Sequence, residues 1–379
     1  MEDWVVERLG KIVGKKDRKG LPDLAAKNAE RCTLDTGDYF RIAHNEGCLA
    51  RGMVITDEGV VPDYPRVRRI FNLKNFITRY YYSPFYAEEL VPGYHARFVR
   101  VGGRTLAFTR DGRWCPFTTD RAADLLPDRI LDDNPDLIVC LVINGSGIPY
   151  VTEPAAEQGS EITAVAVDFL ERDVREPLSP GEKYPLFDRY GMPCVEHIGP
   201  FDPKELDGLD EWVAGIIARK GTGVVLKPSE RPHRPLQYST PPEIFRSHPL
   251  WKALAEDESG FDSYFQRLLR ASCALAEEGA VPQDINWEAL GRSLLEPIVE
   301  GVHLVAAGED LREPCSVWVH QKDTSAALLA HLAESDPSVV FEQRKLNPEN
   351  GGWRLEFERV YRGASDTLAR RIGGASYVR

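Results

Sequence analysis

Residues 85–109 read FYAEELVPGYHARFVRVGGRTLAFT, and this stretch decides the fold. Apolar and polar side chains alternate along three segments of it, as they do in β-strands that bury one face. The pair Gly102-Gly103, between the second and third segments, is a strong signal for a tight hairpin turn. We therefore predict strands at Phe85 to Glu89, Tyr94 to Val101 and Arg104 to Thr109, in mostly antiparallel sheets.

Further elements extend this unit along the chain. The continuous apolar run from Leu137 to Ile143 predicts a buried strand, and Ile162 to Phe169 predicts another. A helix is predicted at Glu211 to Arg219, just before a strand at Val224 to Lys227. Together these elements predict an α+β domain built on antiparallel sheets over residues 66–240.

The flanking segments differ in character. The N-terminal residues predict a small module with a polar, basic loop at Lys11 to Lys19. Apolar residues recur at helical spacing over 261–278, and again over Trp287 to Val305 with a break at Pro297. The tail alternates strand and helix patterns. The predicted division is an N-terminal module at 1–65, the α+β domain at 66–240, a helical domain at 241–305 and a C-terminal domain at 306–379.

Composition sets the broad class. The 379 residues are 42% hydrophobic and 28% charged, as in folded globular proteins. No apolar run is long enough for a membrane span, and the acidic N-terminus does not resemble a signal peptide, so we expect a cytoplasmic protein without a membrane partner. Seven scattered cysteines without a CxxC pair predict buried thiols rather than disulfides or a zinc site, and eight histidines without an HExxH pattern predict no metal centre.

Charge is distributed unevenly along the chain. The net charge is −12, yet residues 61–121 contain eleven Lys and Arg against five Asp and Glu. A basic stretch inside an acidic protein suits a groove that faces the phosphates of RNA. A solvated, arginine-rich sheet face would show the same composition, and the sequence leaves both interpretations open.

Several segments resemble the motifs of archaeal ATP-dependent RNA ligases. The opening stretch EELVPGYHAR is similar to that family's EEKxDGYNxR, in which the lysine is the nucleophile. Further segments match the family in the same order along the chain: Thr109–Gly112 resembles TRGG, Cys115–Arg121 resembles CPFTTER, Ala164–Asp168 resembles FFLFD, and Gly223–Lys227 resembles EGVVxK. The colinear matches cover nearly the whole chain.

The resemblance implies a fold and a reaction. The fold is an ATP-grasp-like nucleotidyltransferase domain with an N-terminal module, a helical domain that forms a dimer and a C-terminal α/β domain. In the reaction, lysine attacks ATP with Mg²⁺ bound, AMP moves to an RNA 5′-phosphate, and a 3′-hydroxyl displaces AMP. The resemblance also implies cofactor contacts at five positions, namely Glu88, Gly93, Arg110, Phe117 and Lys227.

This sequence departs from the family at the positions that carry the chemistry. The nucleophile position holds Leu90, which has no lone pair and cannot form the lysine–AMP adduct. Other expected charged or stacking residues are also replaced: the motif aspartate is Pro92, two glutamates are Val142 and Thr222, the adenine-stacking aromatic is Val167, and a late lysine is Gln237. A half-buried carboxylate without its metal would be an uncompensated charge, so these losses are mutually consistent.

Three functions follow from this pattern. The first is a catalytically inactive RNA-ligase-like protein that binds RNA or a partner, as a homodimer or as a dimer with an active paralogue. The second is a working ligase with a rearranged site that uses Lys74 or Lys227. The third is a structural partner with no nucleic-acid role. ATP and Mg²⁺ are implied by resemblance only, and we predict no catalytic residue and no metal ligand.

Overall fold

The computed structural model of the protein describes residues 2–34, 37–150, 162–230, 234–240, 265, 268–269, 272–277, 279, 281, 283 and 285–374. The described strands are β1 (Ala29–Leu34), β2 (Gly37–Ile42), β3 (Val54–Thr56), β4 (Gly59–Val61), β5 (Arg68–Ile70), β6 (Phe85–Glu89), β7 (Tyr94–Val101), β8 (Arg104–Thr109), β9 (Leu137–Asn144), β10 (Thr163–Glu171), β11 (His197–Phe201), β12 (Gly223–Pro228), β13 (Leu236–Ser239), β14 (Arg312–Val319), β15 (Val340–Glu349) and β16 (Gly352–Val360).

The described helices surround these strands. They are α1 (Asp3–Ile12), α2 (Leu21–Asn28), α3 (Leu73–Tyr80), α4 (Pro116–Asp120), α5 (Ala122–Leu125), α6 (Ile130–Asp133), α7 (Pro180–Tyr190), α8 (Asp207–Ala218), α9 (Trp287–Ala306), α10 (Lys322–Ser335) and α11 (Arg362–Ile372). A 3₁₀ helix spans Lys15–Gly20, and residues 272–277 are also helical.

The described strands form four sheets. The N-terminal sheet has the order β1-β2-β3-β4, and the C-terminal sheet has the order β14-β16-β15. Between them in the chain are the first central sheet, β10-β9-β7-β8, and the second central sheet, β11-β6-β12-β13-β5. Neighbouring strands are antiparallel except for β13 and β5, which are parallel. The predicted α+β class with mostly antiparallel sheets is confirmed.

The opening stretch carries the chain from one central sheet to the other. Its three predicted strands are β6, β7 and β8, with the predicted bounds, but β6 lies in the second central sheet whereas β7 and β8 lie in the first. Gly93 lies in the crossing with φ of 155°, and an added Cβ would lie 2.6 Å from the carbonyl oxygen of Ile143. This close approach requires glycine.

The first central sheet is the middle layer of the fold. All eight residues of β9 are buried, which confirms the buried strand predicted at Leu137 to Ile143. One face of the sheet packs on the N-terminal sheet, where Val99 and Phe108 share a core with Val54. The other face shares a core with the C-terminal region, including Leu328 of α10. A strand covered on both faces has no polar side to alternate, which explains the continuous apolar run.

Two local predictions were wrong. The chain over Lys11 to Lys19 is not a loop, because α1 extends to Ile12 and a 3₁₀ helix begins at Lys15. Helix α1 is stabilised by Val5 and Leu9, which bury one of its faces in the N-terminal core. Helix α9 also continues through Pro297. Proline removes only its own N–H donor, and a helix can continue past it with a kink.

Other predictions have mixed outcomes. All seven cysteines are free thiols, as predicted, but only Cys115 and Cys140 are buried, and the other five are partly exposed. The helix predicted over 261–278 lies largely outside the described residues, although residues 272–277 are helical. The bounds of the four predicted domains stay a prediction. Among the described helices, none combines the length and apolar character needed to cross a membrane.

Buried Arg97 joins the first central sheet to the segment before it. Its guanidinium donates to the carbonyl oxygens of Gly52 at 2.7 Å, Thr109 at 2.8 Å and Pro62, and its side chain has no exposed surface. Burial lowers the pKa of Arg97 from its ordinary value, although nearby Asp63 and other anionic groups oppose that effect. The arginine is therefore an internal tie between strands and not part of an RNA groove.

We predict that Arg97→Met lowers the free energy of unfolding by roughly 3–5 kcal/mol, because three buried carbonyl groups lose their donor. Arg100→Met on the same strand is the matched control. Its half-exposed side chain pairs with Asp132 at 3.0 Å, and its loss should cost below about 1 kcal/mol. Urea unfolding followed by circular dichroism measures both values, and equal losses in the two variants would contradict the assignment.

Candidate functional site

A cavity of about 120 Å³ lies between the two central sheets, at the place where the opening stretch crosses from one to the other. Leu90 and Val91 line it from the crossing itself. Its walls combine aliphatic side chains with charged ones, and the lining includes Val142, Val167, Val225, Glu88, Asp168, Lys227 and Gln237. The cavity therefore brings together residues that are far apart in the sequence.

Strand register places Glu88 and Lys227 together. Glu88 on β6 lies opposite Val225 on β12, and Lys227 follows two positions along β12. Because side chains alternate along a strand, residues two apart share a face, so Glu88 and Lys227 are diagonal neighbours on the same side of the sheet. Their charged ends point towards the first central sheet, where Asp168 accepts a hydrogen bond from Lys227.

A bulge in β10 prepares the other wall. The pairing of β10 with β9 shifts between Ala166 and Asp168, which leaves Val167 without a cross-strand partner. The carbonyl oxygen of Val167 is then free to accept from lysine side chains. This irregularity presents the Val167 carbonyl and the Asp168 carboxylate to the same cluster of charges.

Four buried charged side chains form this cluster, which we call the tetrad: Glu88, Asp168, Lys183 and Lys227. Lys183 Nζ lies 2.5 Å from Glu88 Oε1 and 3.1 Å from Asp168 Oδ1. Lys227 Nζ lies 2.8 Å from Glu88 Oε2 and 2.8 Å from Asp168 Oδ1. Two carboxylates and two ammonium groups give a neutral set.

Both lysines of the tetrad have used their donors. Lys227 donates to Glu88 and Asp168 and, at 2.9 Å, to the Val167 carbonyl; Lys183 donates to the same three groups. An ammonium group has three N–H donors, so neither lysine has one left for a bound anion. Burial acts to raise the pKa of Asp168, but Lys183 and Lys227 outweigh it and hold that pKa below its ordinary value.

Two arginines at the rim of the cavity, unlike the lysines of the tetrad, are not paired with carboxylates in the described part of the chain. Arg69 and Arg110 both line the cavity, and neither forms an ion pair with any residue that the structure describes. The Arg110 guanidinium lies 5.2 Å from the centre of the Tyr64 ring, whose hydroxyl lies 2.8 Å from His95 Nδ1. Burial, together with nearby Arg110, lowers the pKa of His95 to about 4, so this imidazole is neutral at pH 7.

The predicted site residues have separate places in the structure. Leu90, Val142, Val167 and Gln237 line the cavity together with Glu88, Arg110 and Lys227. Pro92 and Thr222 instead hold the crossing in place. The Pro92 carbonyl accepts from Asn144, and the Thr222 hydroxyl donates to the Leu90 carbonyl.

Two predicted cofactor contacts lie away from this cavity. Phe117 is 1% exposed and packs in the core shared with the C-terminal region. Gly93 lines a neighbouring, larger cavity on the other side of His95 and Arg110. A motif match identified both residues, but neighbouring positions in a motif can point to different sides of a sheet.

The residues present do not fit Mg–ATP. Of the three carboxylates in the cavity wall, Glu88 and Asp168 are paired with lysines and Glu89 is paired with Arg219 at 2.8 Å. Leu90 supplies no amine. The described part of the chain brings no group of three His, Cys, Asp or Glu side chains together as metal ligands. In size, about 120 Å³ compares with roughly 300–1,000 Å³ for cavities that enclose small-molecule ligands.

Sequence reasoning missed Lys183. No periodicity or motif linked it to Glu88, since the contact joins helix α7 to a strand in a different part of the chain. One local signal was available for the helix: Ser179 and Glu182 form a capping box at the start of α7. That signal predicts where the helix begins, and Lys183 lies at its fourth position.

We predict that Lys183→Met lowers the free energy of unfolding by roughly 3–5 kcal/mol, because two buried carboxylates keep only one cation. Adding Glu88→Gln restores the charge balance and should recover a large part of that loss. Lys74→Met, at an exposed lysine that pairs with Asp210 at 2.7 Å, is the control and should cost below about 1 kcal/mol.

Denaturant unfolding of the two single variants and the double variant gives the coupling between Lys183 and Glu88. Strictly additive losses would show that the tetrad is not a compensated charge cluster.

Comparison with known proteins agrees with this architecture. The family model for the ligase Pab1020 C-terminal region matches residues 256–375. An uncharacterised protein of Methanocaldococcus jannaschii is 28% identical over 324 residues, which cover 83% of this chain and 82% of that protein.

Two solved structures share the fold over nearly the whole chain. A candidate ATP-dependent DNA ligase from Aquifex aeolicus has a TM-score of 0.87 and 26% identity, covering 96% of this chain and 100% of that one. An archaeal ATP-dependent RNA ligase, in its form 2, has a TM-score of 0.85 and 24% identity and covers 100% of both chains. These matches confirm the resemblance to the archaeal ATP-dependent RNA ligases: the chain has their fold, and its residues 256–375 match the family model for the ligase Pab1020 C-terminal region.

Proposed function

We propose that this protein is an RNA-ligase-like protein that forms no lysine–AMP adduct and instead binds RNA ends as a dimer. One observation carries the proposal. Leu90 occupies the nucleophile position, and the surviving motif lysine, Lys227, gives all its donors to Glu88, Asp168 and the Val167 carbonyl.

Adenylation needs groups that this cavity does not offer. The step requires an unprotonated amine next to the α-phosphate and positive groups that accept the charge developing on the phosphate chain. Leu90 is apolar, and the tetrad is electrically neutral. If Lys227 turned towards a phosphate, it would leave Glu88 and Asp168 buried with one cation between them, at a cost of several kcal/mol.

Neither of the two candidate substitute nucleophiles, Lys74 and Lys227, is placed or charged to attack ATP in the cavity. Lys74 is exposed, pairs with Asp210 and does not line the cavity. Burial acts to lower the pKa of Lys227, but the adjacent Asp168 and Glu88 carboxylates outweigh it and raise that pKa above its ordinary range. A protonated amine has no lone pair with which to attack ATP. Both observations favour an inactive protein over a ligase with a rearranged site.

RNA is the ligand that the remaining charges suit. Arg69 and Arg110 lie at the cavity rim without an ion pair among the described residues, and guanidinium groups bind phosphate well. The archaeal relative of the same fold is an ATP-dependent RNA ligase. A purely structural partner would instead fail to bind single-stranded RNA even at low ionic strength, where phosphate contacts are strongest.

Helix α9 supports the dimer. Leu295 is 61% exposed and Val299 is 51% exposed; these residues are four apart and so lie on one helix face. Trp287, at the start of α9, is 58% exposed. Large apolar side chains on one exposed helix suit a contact between proteins, either with a second copy or with an active paralogue. The helix first predicted for this role, at 261–278, lies largely outside the described residues.

We predict no transfer of label from α-labelled ATP to the wild-type protein, and none to Leu90→Lys, because the new amine would still lack the motif carboxylates. Denaturing gels reveal the adduct. An active archaeal RNA ligase, run in parallel, is the positive control that shows the assay detects an adduct. A stable ATP-derived adduct on the wild-type chain would overturn the proposal.

Light scattering should give the mass of a dimer for the wild-type chain. The double variant Leu295→Glu/Val299→Glu should shift it to the monomer, because four charges would be buried at the contact of two copies. Glu300→Gln, at an exposed position on the same helix, is the control and should leave the mass unchanged. A wild-type monomer, or a dimer unaffected by the double change, would exclude α9 as the contact.

A further inference from the structure

A second and larger cavity lies between the first central sheet and the C-terminal region. Its volume is about 490 Å³, within the range of cavities that enclose small-molecule ligands. One wall comes from the starts and ends of β7 and β8, including Tyr94 and Arg110. The opposite wall comes from the end of α10 and from β15 and β16, including His331, Ser335 and Phe341.

Aromatic rings form one side of this cavity in a fixed arrangement. The rings of Tyr94 and Tyr150 stack with centroids 4.2 Å apart and planes 21° apart. The His331 ring stands at 85° to Tyr150, with centroids 5.6 Å apart. The Tyr150 hydroxyl lies 2.8 Å from Cys115 Sγ, which holds the ring in place. The cavity thus offers a rigid, mainly apolar wall suited to a planar ligand.

His331 is a titratable ring in this wall. Its side chain is 7% exposed, and no described residue forms a hydrogen bond with either ring nitrogen. Burial lowers the pKa of His331 to about 4, so at pH 7 the neutral ring has one donor and one acceptor nitrogen. His331 lines the cavity, so a ligand with polar edges can accept from one ring nitrogen and donate to the other.

Arg110 supplies the charge at the edge of the same cavity. It lines both cavities, and its described contact is with the Tyr64 ring, not with a carboxylate. The adjacent Asp111 accepts from the Thr109 hydroxyl and lies within 4.0 Å of three other arginines, Arg41, Arg51 and Arg113. Asp111 is therefore engaged elsewhere, and the Arg110 guanidinium can bind an anionic group.

We propose that the larger cavity binds a single nucleotide unit, with its base against the aromatic wall and His331, and its phosphate at Arg110. A nucleobase is planar and carries donors and acceptors at its edge, and the phosphate supplies the anion. The choice of a nucleotide rests on the proposed RNA-binding function. The unit is either a free nucleoside 5′-monophosphate or the 5′-phosphorylated end of an RNA chain.

Two variants test the cavity without touching the smaller one. His331→Phe keeps an aromatic ring beside Tyr150 and removes both nitrogens. Ser335→Trp fills the cavity from an exposed position on α10, where a large side chain does not disturb the core. Ala333→Trp is the matched control, since Ala333 is exposed on the same helix and lines neither cavity.

The full-length proteins are titrated with AMP by calorimetry and with a fluorescent, 5′-phosphorylated RNA oligonucleotide by anisotropy, at low salt. We expect wild-type binding, at least about tenfold weaker binding in both cavity variants, as for loss of one hydrogen bond, and no change in Ala333→Trp. If the wild-type protein binds RNA but not AMP, and the cavity variants bind RNA more weakly, the ligand of the cavity is the 5′-phosphorylated end of RNA. Weaker binding of both ligands assigns any nucleotide with a 5′-phosphate.

Other outcomes separate this inference from the function on which it rests. RNA binding that stays unchanged in Ser335→Trp overturns the cavity assignment and leaves the RNA-binding function standing. AMP binding at His331 without RNA binding supports the cavity and overturns the RNA function. Failure of the wild-type chain to bind either ligand overturns both. Thermal melting of each variant shows whether it is folded. If His331→Phe fails to fold, Ser335→Trp still tests the cavity, because Ser335 is exposed.

Discussion

The neutral tetrad of buried charges is the interaction on which the centre of this protein depends. Glu88 and Lys227 come from one central sheet, Asp168 from the other and Lys183 from α7, so the tetrad joins two sheets and a helix at one point. Each charge alone would be costly to bury, and the set is tolerable only because the charges are paired and hydrogen-bonded. The same pairing removes the lysines from any role at a phosphate.

The tetrad also separates the motif residues that survive from those that are replaced. Glu88, Asp168 and Lys227 match the ligase motifs, and each is held in the tetrad. Leu90, Val142 and Gln237 depart from the motifs, and each lines the cavity beside it. Charges that hold the two sheets together have thus been kept, whereas the charged groups expected at positions 90, 142 and 237 are absent. Arg110 is a motif charge that lines the cavity outside the tetrad. A scaffold under structural but not chemical constraint would show this division.

Local patterns predicted the elements near the site well, and long-range contacts poorly. Strands β6, β7 and β8 have the predicted bounds because alternation and paired glycines act within a few residues. The helix break predicted at Pro297 was wrong, because tertiary packing can stabilise a helix that continues past a proline. The contact of Lys183 with Glu88 joins a helix to a strand that is distant in the sequence, and the residues around either one do not predict the contact. The place of His331 in the larger cavity could not be predicted either, since its surroundings come from β7, Tyr150 and α10.

The neutrality of the tetrad bears on where an anion can bind. In a ligase-like fold the cleft between the central sheets would attract phosphate through its lysines, but here the lysine charges are cancelled within the wall. The nearest cations without a described ion pair are Arg69 and Arg110, and both lie at the rim. Arg110 is shared with the larger cavity, so the positive potential lies at the junction of the two cavities. Because an anion follows the uncompensated charge, the proposed loss of chemistry in the smaller cavity and the proposed ligand binding in the larger one have one electrostatic origin.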